Sequence, residues 1–91
     1  MTLKEVNNQI AVELEELKKF LILKNTVYGN SLHDGVNIFQ PEPLQGLLGR
    51  IDDKLSRIKS VGLNEDTEDT ITDLMGYLVH LKIMLANNKE E

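Results

Sequence analysis

Apolar residues recur at steps of three and four along most of this chain, and that spacing directs it into helices. Leu3, Val6, Ile10, Leu14, Leu17 and Leu21 form one such stripe. Ahead of it, Thr2-Leu3-Lys4-Glu5 is a capping box, in which Thr2 caps the Glu5 amide and the Glu5 side chain reaches back. The first helix is expected over residues 3–24, with Asn25 or Gly29 ending it. Pro43 suits the first turn of a second helix over 43–60, carried by Leu44, Leu48, Ile51, Leu55 and Ile58. Gly62 stops it, and Asn64 caps a third helix over 65–86 with Ile71, Leu74, Leu78, Leu81 and Leu85 on one face.

Residues 25–41 lack any period and hold Gly29, Asn30, Asp34, Gly35 and Pro41. So long a connection in a short chain is uncommon and often functional. Val27, Val36, Ile38 and Phe39 are too few and too scattered to make a strand. The expected fold is a single all-α domain over residues 1–91, three helices with a long first loop.

At 91 residues and with no cysteine, the chain has a small core and no disulfide to reinforce it. Phe20, Ile22 and Leu23 fall outside the first stripe, so the C-terminal end of that helix is apolar on more than one side. Both features point to assembly of the helices into a bundle shared between copies, a homo-oligomer; the plainer alternative is a self-sufficient three-helix bundle. A net charge of −5 argues against duplex nucleic acid as a partner. The absence of a membrane-length apolar run, of a signal peptide and of cysteine fits a cytoplasmic location.

Two segments carry most of the chemistry. Lys24-Asn25-Thr26-Val27-Tyr28-Gly29-Asn30-Ser31 gathers donors around a glycine where the first helix ends, making Lys24, Tyr28, Asn30 and Ser31 candidate ligand-binding residues. In the second helix Arg50, Lys54 and Arg57 share an arc of about 60° at about 100° per residue, beside Leu47, Ile51 and Ile58. Cations bordering a buried seam suit a groove in which their stems pack and their heads meet an anion. Arginine grips phosphate through two parallel hydrogen bonds, and lysine adds a point charge. The plainer reading is that Asp53 pairs with Arg50 and Arg57 on the surface.

In the third helix Asp69, Asp73, Gly76 and His80 form one line, and Thr70, Asp73 and Tyr77 another. Two aspartates one turn apart can share magnesium, so Asp69 and Asp73 are candidate metal ligands should the protein be an enzyme. Acids near a helix N-terminus also answer the macrodipole, which accounts for Glu65 and Asp66 but not for Asp73, well inside the helix. Gly76 weakens a helix and signals close approach by another backbone or a ligand. Two histidines without cysteine do not suggest zinc, and there is neither a phosphate-binding glycine loop nor a nucleophile motif.

These residues resemble the small all-α "nucleotide modification associated" domains of bacteriophages. The shared pattern is Lys-Asn-x-x-Tyr-Gly-(Asp/Asn)-Ser, then Arg-x-x-x-Lys-x-x-Arg, then Asp-Thr-x-x-Asp-Leu with a nearby Tyr. Here it falls on Lys24 to Ser31, Arg50 to Arg57, and Asp69 to Leu74 with Tyr77, and the likeness spans about residues 10–85. Those domains distantly resemble MazG-like nucleoside triphosphate pyrophosphatases, helical oligomers that hold magnesium with Glu-Glu-x-x-Glu and Glu-x-x-Asp helices. By position the two motifs fall on Asp52, Asp53 and Ser56, and on Thr70 and Asp73, so three of five carboxylates are kept, two of them shortened, and the resemblance adds Asp53 to the candidate metal ligands of an enzyme. Ser56 and Thr70 supply no negative charge to a cation.

The resemblance implies a phage-encoded nucleotide-binding oligomer in the host cytoplasm, with Tyr77 added to the binding residues. Such a protein would bind or sequester a phosphorylated nucleotide or a nucleotide-derived signal, a role suited to countering host defence. The alternative is a magnesium-dependent pyrophosphohydrolase, and a third reading is a helical protein–protein interaction module. In a binder, Asp73 accepts a hydrogen bond from the ligand or orients Arg50 or Lys54 from a facing helix.

Overall fold

The computed structural model describes residues 1–34 and 42–90, with side chains placed as far as Asn87. The described residues are almost wholly helical and include no strand. The expectation that Val36, Ile38 and Phe39 form no strand lies outside them. Four α-helices are present among the described residues: α1 (Leu3–Val27), α2 (Ser31–Asp34), α3 (Pro43–Val61) and α4 (Glu68–Glu90). Among the described residues no helix is long and apolar enough to cross a membrane.

Each long helix begins and ends on local chemistry. Thr2 caps α1: the Glu5 amide donates to Thr2 Oγ1 at 3.1 Å, and the Thr2 amide donates to Glu5 Oε1 at 3.5 Å. At the other end α1 runs one turn past Lys24. It closes in a Schellman motif, with the Asn30 amide donating to the Asn25 carbonyl and the Gly29 amide to the Thr26 carbonyl. Gly29 has φ +63°, a left-handed conformation that glycine adopts without a side-chain penalty. Pro43 opens α3, where its missing N–H costs nothing, and Gly62 at φ +82° ends it.

The three-helix expectation differs from the structure inside the first loop and at both ends of the last helix, which runs to Glu90 and not to residue 86. Inside the expected loop stands α2, a single turn with no apolar period of its own. It is held by the Asn30 carbonyl, which accepts from the amides of both His33 and Asp34. Residues Glu65–Thr67 form a 3₁₀ turn rather than the first turn of the last α-helix. Asn64 Oδ1 accepts from the Asp66 amide, and the hydroxyl of the fully buried Thr67 both donates to the Asn64 carbonyl and accepts from its amide. Those bonds hold the backbone in the tighter helix until Glu68.

Packing is concentrated between α3 and α4, where Leu47 is fully enclosed. α1 lies antiparallel on α4, Leu21 facing Gly76 at one end and Leu14 sharing a groove with Ile83 and Asn87 at the other. A Cβ on Gly76 would stand 2.6 Å from Leu21 Cδ2, so the close crossing of α1 and α4 depends on this glycine. Gly76→Ala gains about 1 kcal/mol of helix propensity, which offsets a small shift of the Leu21 tip. Gly76→Val adds two more methyls and overpacks the crossing, so urea unfolding is expected to show a loss of about 2 kcal/mol.

The N-terminal half of α1 has little against it. Leu3, Ile10 and Leu14 are 79%, 52% and 55% exposed, and only Leu17 of the whole helix is buried. The chain has 7198 Å² of accessible surface, against about 5,400 Å² for a compact monomer of this mass. Its radius of gyration is 15.1 Å, where a compact chain of this length would have about 12 Å.

Candidate functional site

Where α1, α2, α3 and α4 converge, they enclose a groove of about 300 Å³. The last turns of α1 supply Phe20, Leu21, Lys24, Asn25 and Tyr28, and α2 supplies Ser31 and Leu32. Arg50 enters from α3, and Asp73, Gly76, Tyr77 and His80 from α4. The wall is thus part apolar and part polar, with two cations and two phenols. That mixture suits a ligand with a flat ring and an anionic group.

Local structure explains how these side chains arrive. Lys24 and Tyr28 are four residues apart and share a face of α1, while the Schellman turn sends the chain back so that Ser31 joins them. Lys24 Nζ rests 4.6 Å from the centre of the Phe20 ring, a cation–π contact that holds the ammonium at the rim. Gly76, having no side chain, admits the tip of Leu21, and both residues line the groove.

Six of the eight sequence-predicted binding residues and one of the three metal candidates lie in or touch this arrangement, each differently. Lys24, Tyr28, Ser31, Arg50 and Tyr77 line the groove, as does Asp73. Lys54 does not line it but reaches its wall, with Nζ 3.1 Å from Asp73 Oδ2 across the α3–α4 seam. Asn30 stands outside: its side chain accepts from Asn25 Nδ2 at 3.2 Å and donates to Asp34 Oδ1 at 3.2 Å, holding the turn at a φ of +65°. Arg57 is exposed, two turns along α3 from Arg50 and away from the groove lining. Phe20, Leu21, Asn25, Leu32, Gly76 and His80 line the groove beside the residues predicted to bind a ligand. The line Asp69–Asp73–Gly76–His80 already placed the last two on the face of Asp73.

Lys54–Asp73 is the one ion pair among the described residues, so Asp53 is not paired with Arg50 or Arg57. Asp53 and Asp69 are exposed. Among the described residues no group of three or more His, Cys, Asp or Glu is placed to hold a metal ion. Asp73, already bound to Lys54, is the one carboxylate in the groove lining, so the donor set does not fit a magnesium ion held by protein ligands alone.

Behind the groove, His33 Nε2 and His80 Nδ1 are 2.9 Å apart, joining α2 to α4. One ring must donate and the other accept, so the bond requires at least one neutral imidazole. Burial pushes the His80 pKa below its ordinary 6.5, and the nearby His33 lowers it further. A lowered folded-state value means the unfolded chain binds this proton more readily. The contribution to stability is therefore complete above pH 6.5 and is lost as pH falls below it toward the native value. The melting temperature is expected to drop between pH 7.5 and pH 5.5, and His80→Gln should flatten that drop when both proteins are scanned by calorimetry.

Comparison with protein-family models, curated proteins and solved structures finds no match to this chain.

Proposed function

We propose that this chain binds a phosphorylated nucleotide, or a signal derived from one, in the groove between Lys24, Tyr28, Arg50 and Tyr77, and that it does so as a self-associated helical protein. One observation carries the reading: Lys24, Tyr28, Ser31, Arg50 and Tyr77, distant in sequence and singled out for a phosphorylated ligand, line one groove. Arg50 and Lys24 offer charge-assisted hydrogen bonds to phosphate, and Ser31 a hydroxyl. Tyr28, Tyr77 and Phe20 offer ring faces to a base. At about 300 Å³ the groove stands at the lower end of small-molecule sites, so part of a nucleotide would protrude.

Binding without hydrolysis is the form of this reading that the donor set favours. A magnesium-dependent pyrophosphohydrolase needs several carboxylates around the ion, and Asp73 stands alone in the groove with a lysine on it. In this reading the protein sequesters its ligand, as a phage protein that withdraws a signalling nucleotide from a host would. The experiment is a calorimetric titration of wild type and Arg50→Ala with nucleoside mono-, di- and triphosphates and with the parent nucleosides. Binding of the nucleosides as tightly as their phosphates would refute the assignment.

A further inference from the structure

We propose that the N-terminal half of α1 lies in the α1–α4 groove of a second copy, and the second copy's in the groove of the first, as an antiparallel two-fold pair. The proposal deepens the self-association read above by naming its surface. Adjoining the ligand groove, and sharing Leu21, Asn25 and His80 with it, is a wider one of about 590 Å³. Leu14, Leu17, Leu21, Ile22, Val79 and Ile83 give it its apolar wall.

The first turns of α1 carry Leu3, Val6 and Ile10, which are 79%, 40% and 52% exposed. The chain thus presents an uncovered apolar rod continuous with an unfilled apolar groove. A surface surplus of about 1,800 Å² over a compact monomer exceeds the roughly 800 Å² per partner of an ordinary stable interface.

Charge selects the occupant and its direction. The half of α1 from Leu3 to Glu16 has one lysine and four glutamates, net −3; the half from Leu17 to Val27 has no acid and three lysines, of which Lys18 lines this groove and Lys24 the ligand groove. Antiparallel pairing lays the acidic half of each copy along the basic half of the other. Parallel, in-register pairing would set like on like, which costs stability and discriminates against that arrangement. In a two-fold pair each surface serves as both rod and groove, so one interface closes with no free apolar end. The product is a four-helix layer of two α1 and two α4, a packing that antiparallel helices adopt readily.

The natural absence of cysteine makes the test direct, because a single introduced cysteine can form a disulfide only between copies. Leu14, near the middle of α1, should lie close to its own copy across the two-fold axis. Leu3 should lie more than about 30 Å from its copy, far beyond the roughly 7 Å that a disulfide spans. Leu14 is 55% exposed in the single chain, so its replacement leaves the protomer intact. Under mild oxidation, Leu14→Cys is expected to give a covalent dimer and Leu3→Cys almost none, with light scattering of the wild type at twice 10.3 kDa or a multiple of that. Equal cross-linking at both positions, or none at Leu14 in a protein that still scatters as an oligomer, would overturn this interface and leave self-association standing. A wild-type mass near 10.3 kDa would overturn both.

Discussion

Arg50→Ala is expected to weaken nucleotide binding by at least about tenfold while leaving the fold intact. Arg50 is an exposed residue on a well-packed helix, and its described contacts include no ion pair, so its removal takes little from the unliganded protein. It lines the groove together with Lys24, Tyr28 and Tyr77, where a phosphate would be partly withdrawn from water. A hydrogen bond to a charged group contributes about 1.5–3 kcal/mol once made, and 1.4 kcal/mol corresponds to a factor of ten in the dissociation constant. Arg50→Lys should recover only part of the loss, because an ammonium cannot make two parallel bonds to one phosphate. Arg57→Ala is the internal control, since Arg57 shares the wheel arc but not the groove lining. Calorimetry giving the same affinity for wild type and Arg50→Ala would reduce Arg50 to ordinary surface charge.

The contrast between Arg50 and Arg57 shows what sequence can and cannot carry here. Helix ends were legible because their causes are local: a capping box at Thr2, a proline at 43, glycines at 29 and 62 in left-handed turns. The all-helical class followed from spacing alone. α2 was not legible, since a one-turn helix made by a single carbonyl leaves no apolar period. Within the site, a helical wheel gives the direction of a side chain around its axis but not its height along a neighbour. Arg50, Lys54 and Arg57 share a direction, yet α4 meets the first with a groove, the second with Asp73 and the third with solvent. Gly76 was legible as a point of close approach because a glycine inside a helix needs such a reason, but the sequence did not identify Leu21 as the neighbour.

Lys54 and Asp73 supply the last prediction, which turns on the sign of one charge. Asp73 lines the groove, and a bare carboxylate there would repel a phosphate. Lys54, 3.1 Å away, cancels that charge without entering the groove. Each side chain is 28% exposed, so the pair contributes at most about 1 kcal/mol to stability, and removing it should not unfold the protein. Lys54→Ala is therefore expected to weaken nucleotide binding about fivefold, the effect of a like charge worth about 1 kcal/mol at groove distance. Asp73→Asn alone should hold or raise affinity, and the double variant Lys54→Ala/Asp73→Asn should return to within about twofold of wild type. A hydrolase gives the opposite pattern, because there Asp73 serves a cation and its loss ends turnover. Wild-type protein is expected to release no pyrophosphate from any nucleoside triphosphate, with or without magnesium. Magnesium-dependent release that disappears in Asp73→Asn would replace the binder with the enzyme.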